Sequence, residues 1–343
     1  MRVSAAIVDA PGADPRVGFV ELAQRPSGTT LIAVIAAPLN PLDLLIASGS
    51  FHSARHDEPY VPGSECVGRV VESDSVAVGS LVYAESKASP SSPGAFADHV
   101  VVPDGDLLPL PDGVDPVLAA AIGNSGVAAF IPLVEIANVR PGETVLVLGA
   151  TGAVGALAIQ IAHRRGAGRV IAVARDRAAL ERLLSLGADA VVELRLDETA
   201  TALAARLTEA AGSVDVVIDA LYGLPLEAAL QVCAQRARVV NVGHSAGPTA
   251  QIPAGILRGR QLTLTGFAGL HTPLRDKRAA LSWLWTALAL GDLRTQVTGV
   301  SLEELPEAWR KQAASAHTKF VVLPGGARSS TPNPETTGAN HAP

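Results

Sequence analysis

The stretch VLVLGATGAVGALAIQIA, residues 145–162, constrains this chain more than any other. An apolar run at 145–148 enters a glycine-rich turn, and the turn enters an apolar helical pattern that begins near Ala153. A strand, a tight glycine turn and a helix N-terminus together make the cradle for a dinucleotide pyrophosphate. Gly152 lets the backbone approach the phosphates, and Gly155 lets the helix pack closely on the strand. The free amides and the positive dipole end of the helix face the anion. The candidate cofactor-binding residues are therefore Ala150, Thr151, Gly152, Ala153, Val154 and Gly155. Ala150 stands at the first glycine place of G-x-G-x-x-G, so the strict pattern is broken, although Gly149 precedes it. An ordinary strand-to-helix turn is the bland alternative. A second apolar run at 170–174, at the spacing of a βαβ unit, favours the dinucleotide.

The tip of that second run selects the cofactor. A carboxylate there binds the ribose 2′-hydroxyl of NAD. Here the place holds Ala174, followed by Arg175 and, two residues on, Arg177. A missing acid beside a guanidinium suits the 2′-phosphate of NADPH. Asp176 counts against this, because it can neutralise Arg175; its other reading is a cap for the next helix.

Around this unit the chain changes character. Residues 1–122 read as short strands and turns, with β-rich runs at 31–37, 65–73 and 79–86. From about 117 to 266, apolar strands at 145–148, 170–174, 214–218, 239–242 and 262–265 alternate with helical patterns such as 178–186 and 226–235. That alternation predicts an α/β fold with a doubly wound parallel sheet covered on both faces. An apolar helix at 275–290 and a last strand at 319–324 follow, and the Gly-, Pro- and Ser-rich tail 326–343 reads as disordered. A length of 343 residues fits about two domains.

Composition excludes several classes. The formal net charge is -6 without a basic run, which argues against a nucleic-acid partner. The uncharged segment 116–134 is long enough to span a bilayer, but its alanines, the GNSG at 123–126 and Pro132 read as a buried helix broken by a turn, so no membrane partner is expected. The start of the chain has no long apolar core of a signal peptide, and two distant cysteines, Cys66 and Cys233, fit a reduced, cytoplasmic protein. A rival motif, Gly243-His244-Ser245-Ala246-Gly247, fits the nucleophile elbow G-x-S-x-G, with Asp276 and His317 following in order. An elbow leads directly into a helix, whereas Pro248 and the residues after it read as loop, so a serine hydrolase is disfavoured.

At family level, the segments RPGETVLVLGATGAVGALAIQIAHRRGAGRVIAV and LLSLGADAVVEL resemble the cofactor domain of the zinc-free medium-chain dehydrogenase/reductases, the quinone oxidoreductase (zeta-crystallin-like) and enoyl reductase relatives. AAPLNPLDLLIASG, YVPGSECVGRVVES, GAFADHVVVP and LPLPDGVDPVLAAA resemble the GroES-like domain of that family, and ASAHTKFVVLP resembles its C-terminal return strand. The resemblance implies a GroES-like β-rich catalytic domain at 1–122, a Rossmann NADP-binding domain at 123–266 and a segment 267–325 that completes the catalytic domain. It implies NADPH as cofactor, a small-molecule substrate in the cleft and a homodimer paired through the edge strand at 261–267. It also places Gly243, Phe267 and Lys319 along the cofactor.

Zinc-dependent relatives carry metal ligands at places that hold Asn40, Ser64 and Asn124 here, none of them a good ligand for Zn²⁺, so no metal is expected. The pair His52 and His56 could bind a metal only if its loop were helical. Without a metal, a carbonyl is polarised by hydrogen-bond donors, and the resemblance points to Asn40 and Asn124 as the catalytic candidates, with Ser125 beside them. Asn40 also reads as a helix N-cap with Pro41 and Asp43 behind it. Tyr60 reads as packing, and no proton donor is legible. The implied reaction is hydride transfer to a quinone or to the β-carbon of an α,β-unsaturated carbonyl. A ketone or aldehyde reductase and a non-catalytic NADPH-binding protein are the alternatives.

Overall fold

The computed structural model describes residues 1–51, 56–314 and 317–326. His52 and the tail from residue 327 onward, about which the sequence carried expectations, lie outside the described residues.

Two sheets organise the chain. The first is built on the long strand Thr29–Pro38, which pairs antiparallel with Glu65–Ser73 and His99–Pro103. Beyond Glu65–Ser73 follow Leu81–Glu85 and Leu107–Pro109, all antiparallel. On its other side Thr29–Pro38 pairs with Lys319–Val322, which in turn runs parallel to Val297–Val300. The C-terminal strand therefore returns to the sheet that the N-terminal third begins. A two-stranded sheet, Arg2–Ile7 with Arg16–Glu21, packs beside it, the Ala6 amide donating to the Phe96 carbonyl and the Asp98 amide to the Ser4 carbonyl.

The second sheet has six parallel strands in the order Ala190–Glu193, Arg169–Ala174, Thr144–Leu148, Val214–Asp219, Cys233–Asn241 and Thr263–Gly266. Its central strands are mostly apolar and buried, as expected for a parallel sheet with helices on both faces. The chain winds outward from Thr144–Leu148 to one edge, then returns to Val214–Asp219 on the other side. That reversal leaves a crevice at the strand ends, the place where open α/β sheets bind ligands. Four of the five strands read from sequence overlap these closely. The strand Ala190–Glu193 and the helix Ala200–Ala211 carry too little apolar contrast to be read alone. The helix expected at 226–235 ends at Val232, and the next strand starts at Cys233, with Arg236 at φ +65° inside it.

The uncharged segment 116–134 is a broken helix, but the break is not at GNSG. Asp115 caps Pro116–Ala121 by accepting from the Val117 and Leu118 amides, and the interruption falls at Ile122. Gly123, Asn124, Ser125 and Gly126 form the first turn of the next helix, Gly123–Phe130. Small residues are needed there because neighbours press in: a Cβ on Gly126 would lie 2.8 Å from Leu284 Cδ1. Leu284 belongs to Leu274–Ala289, whose buried face packs on that helix. Among the described residues no helix is long and apolar enough to cross a membrane. Cys66 and Cys233 are free and buried, and burial pushes both thiols up to about 12.

Candidate active site

The glycine turn closes the end of Thr144–Leu148. Gly149 adopts φ +81°, and the amides of Gly149 and Ala150 both donate to the Val173 carbonyl of the neighbouring strand, at 2.9 and 3.0 Å. Gly152 is the N-cap of Ala153–Arg164 and has no side chain, so among the described residues no side-chain cap reaches the amides of the helix start. Among the described residues a Cβ on Gly152 would meet only the Gly149 carbonyl oxygen, 3.5 Å away, so the space before the helix is open. A Cβ on Gly155 would lie 2.5 Å from that oxygen and 2.6 Å from Ala150 Cα, so only glycine fits. Gly149 is thus the glycine that makes the turn, one place before the position the motif assigns, and Ala150 is the buried residue on which the helix rests. An open, uncapped helix start of this kind fits a dinucleotide pyrophosphate.

At the tip of Arg169–Ala174, Ala174 is buried and Arg175 exposed. Asp176 caps Arg177–Leu184 through a 2.9 Å bond from the Ala179 amide, which holds its carboxyl below the usual range. Arg177 pairs with Glu181 at 2.9 Å. The far side of the crevice is made by residues 220–221 and by Gly243. A Cβ on Gly149 would come within 3.2 Å of Ala220 Cβ, and one on Gly243 within 3.0 Å of the Ala220 carbonyl oxygen. The fold thus gathers the glycine turn and Gly243 at one end of the sheet.

The elbow motif does not assemble. Ser245 sits in a turn, its hydroxyl donates to the Ala220 carbonyl at 3.1 Å, and the next helix, Ala254–Arg260, begins nine residues later. Asp276 pairs with Arg275, and His317 pairs with Asp176.

Beside the crevice lies a buried polar network. Asn40 stands at the N-cap of Pro41–Ala47, yet its side chain leaves the helix. Its Nδ2 donates to Glu65 Oε1 at 2.8 Å, and its Oδ1 accepts from Lys319 Nζ at 2.5 Å. Lys319 also donates to Ser125 Oγ at 3.1 Å. The second Glu65 oxygen accepts from the Tyr83 hydroxyl at 2.6 Å and the Asn124 amide at 2.7 Å. Gly123 makes room, since a Cβ there would lie 2.3 Å from Glu65 Oε2. Asp43 accepts from the Asn40 amide at 2.8 Å. Burial pushes the Asp43 carboxyl up to about 7 against the opposing Asn40 bond and Lys319 charge. Burial also lowers the Lys319 ammonium, which Glu65 and Asp43 counteract, and raises the Tyr83 phenol further beside Glu65.

Of the sequence candidates, Asn40 is enclosed in this network, and the ammonium of Lys319 is committed to it rather than to the glycine turn. Asn124 is half-buried, and its Oδ1 lies 3.0 Å from where a Gly269 Cβ would be, with the Phe267 ring near the same spot. Glu65 and Tyr83 carry no local signal that would have marked them. Tyr60 is buried, its ring packs on His56 and its hydroxyl meets no partner among the described residues. His56 contacts the Ala88 carbonyl. Among the described residues no group of three or more His, Cys, Asp or Glu side chains could hold a metal.

Known proteins match this architecture. Residues 26–112 match the family described as the alcohol dehydrogenase GroES-like domain, and residues 153–286 match the zinc-binding dehydrogenase family. The chain is 32% identical to the quinone oxidoreductase of Homo sapiens over 301 residues, which cover 85% of this chain and 88% of that one. It is 31% identical over 327 residues to a phenolphthiocerol/phthiocerol polyketide synthase of Mycobacterium tuberculosis. That match takes in 92% of this chain, which spans only 14% of the length of the synthase polypeptide. A mycobacterial protein solved in complex with NADPH superposes with a TM-score of 0.82 at 25% identity, covering 94% of this chain and all of that one.

The Asp43 environment sets a pH dependence. An unfolded aspartate titrates near about 3.9, whereas the folded one is pushed up to about 7. The folded chain therefore binds the extra proton between these values. The contribution is complete below the unfolded pKa and is lost as pH rises through the folded one. Asp43→Asn cannot ionise, so its urea midpoint should improve relative to wild type as pH is raised from about 4 to 8. A constant difference between the two proteins over that range would contradict the assignment.

Proposed function

Because the chain belongs to the zinc-free medium-chain dehydrogenase/reductases, we propose that it is an NADPH-dependent oxidoreductase that delivers a hydride to a quinone or to the β-carbon of an α,β-unsaturated carbonyl. The observation that carries this reading is the open, uncapped helix start at Gly152, packed through Gly155 onto the end of a central strand. The amides from Thr151 to Gly155 would hold the pyrophosphate, Arg175 and Arg177 the 2′-phosphate, and Gly243 and Phe267 would flank the nicotinamide end. The NADPH complex of a mycobacterial neighbour supports the same cofactor here. When bound, the nicotinamide supplies the hydride.

The protein holds the acceptor in register and stabilises charge on its oxygen. Asn124 is the donor we assign to that oxygen, because its side chain lies with Phe267 at the crevice. Asn40 is held by Glu65 and Lys319 and works behind it, fixing the strand end and the start of the Asn124 helix. The places of the zinc ligands are filled by Asn40, Ser64 and Asn124, and an ammonium sits against Asn40, a donor set that supports metal-free chemistry. The division at residues 122 and 266, with 267–325 completing the first unit, belongs to this reading. The free, buried Cys66 and Cys233 support a reducing, cytoplasmic location.

Initial rates with NADPH against quinones, enones and ketones, before and after exhaustive chelation, test the reading. Turnover of a quinone or an enone that survives chelation is expected; turnover of ketones alone would overturn it. A charge-assisted contact contributes about 1.5–3 kcal/mol, so Arg175→Ala should raise the KM for NADPH roughly tenfold to a hundredfold and leave NADH nearly unchanged. Equal loss for both cofactors would contradict the 2′-phosphate assignment.

The strand Thr263–Gly266 pairs on one side only among the described residues, an edge that a two-fold partner would cover. Light scattering at micromolar concentration should give the mass of a dimer, and a monomer would refute this pairing.

A further inference from the structure

The turn that follows Ala174 poses an electrostatic problem for a 2′-phosphate, because Asp176 puts a carboxylate between Arg175 and Arg177. A phosphate monoester carries roughly -1.5 to -2 charges at neutral pH, and a bare carboxylate beside it repels it. The structure shows where that carboxylate is directed. One oxygen accepts from the Ala179 amide at 2.9 Å, and the other lies 3.2 Å from His317 Nε2. His317 comes from a distant part of the chain, two residues before the strand Lys319–Val322 that pairs with Thr29–Pro38. The contact therefore joins the tip of the parallel sheet to the return strand of the other sheet. The remaining charged groups around it are Arg175, Arg177 with its partner Glu181, and Arg182, whose charge also acts on Asp176.

We propose that His317 is a specificity-determining residue for the 2′-phosphate: by holding the outer oxygen of Asp176, it turns an acid that would exclude NADPH into part of a surface that accepts it. This rests on the NADPH reading above. The clasp explains how an Arg-Asp-Arg turn can serve a phosphate even though its central residue has the wrong sign. Removing the imidazole would leave the helix cap intact, because the Ala179 bond uses the other oxygen, but would free the second carboxylate oxygen to face the phosphate.

The test is binding, without turnover. Dissociation constants of NADPH, NADH and 2′,5′-ADP are measured by calorimetry for wild type, His317→Gln and the double variant His317→Gln/Asp176→Asn. Asparagine caps helices as well as aspartate does, so the double variant keeps the fold of the turn. An exposed contact of this kind moves binding by no more than a factor of about five. His317→Gln should weaken NADPH and 2′,5′-ADP by about that factor and leave NADH unchanged, and the double variant should regain the wild-type values. A wild type that prefers NADPH, with His317→Gln binding it equally well, would overturn the inference alone. Weakening of NADH and NADPH alike, or no recovery in the double variant, would also overturn it by making His317 a structural residue. A wild type that binds both cofactors equally would overturn the NADPH reading and the inference with it.

Discussion

A carboxylate removed from water must receive hydrogen bonds on both oxygens, and Glu65 receives them from three separate segments. Asn40 arrives from the end of Thr29–Pro38, Tyr83 from the adjacent strand, and the Asn124 amide from the first turn of Gly123–Phe130. Desolvating a carboxylate carries a penalty of several kcal/mol, so this arrangement has to form together or not at all. The Asn124 amide adds the favourable end of a helix dipole. Directly opposite Glu65 across the sheet stands Glu85, a second acid of the same sign. Like charges so placed repel, and each is answered by a cation from far along the chain. Lys277 reaches Glu85 at 2.6 Å, and Lys319 reaches Glu65 through the Asn40 amide.

These contacts fix how the two sheets meet. The helix that begins at Gly123 packs on Ala153–Arg164, the helix that follows the glycine turn, so anchoring its first turn on Glu65 ties the glycine turn to the first sheet. The short segment 317–322 contributes twice: Lys319 enters the buried network, and His317 reaches the tip of the parallel sheet. The same short segment thereby links the buried network to the tip of the parallel sheet. Burial keeps Asp43 and Lys319 away from their ordinary ionisation in opposite directions, as expected for groups enclosed together with little water.

What was legible in the sequence follows from the range of each interaction. Buried parallel strands need continuous apolar runs, so Thr144–Leu148, Arg169–Ala174 and Val214–Asp219 could be read directly. The need for glycine at 155 is local, set by a carbonyl six residues away. The N-cap position of Asn40 was also visible, because capping is a backbone matter. Its side-chain partners were not, since Glu65 lies 25 residues away and Lys319 279 residues away. Glu65, Tyr83 and Ser125 gain their roles only when those segments meet. GNSG read as a turn for the same reason: its small residues answer to Glu65, Tyr83 and Leu284, contacts that no local pattern announces.

Glu65, as a charged acceptor that joins three segments, holds the site together, and one substitution tests this most directly. Glu65→Gln keeps the shape but replaces an accepting oxygen with a donating amide, which must then face Asn40 Nδ2, the Tyr83 hydroxyl or the Asn124 amide. It also leaves Lys319 without the carboxylate behind Asn40. Breaking a buried charge arrangement at one partner destabilises by about 3–5 kcal/mol. Urea unfolding at pH 7, followed by circular dichroism, should show a loss of that size. A variant within about 1 kcal/mol of wild type, the range of an ordinary hydrogen bond, would contradict the claim that this carboxylate organises the site.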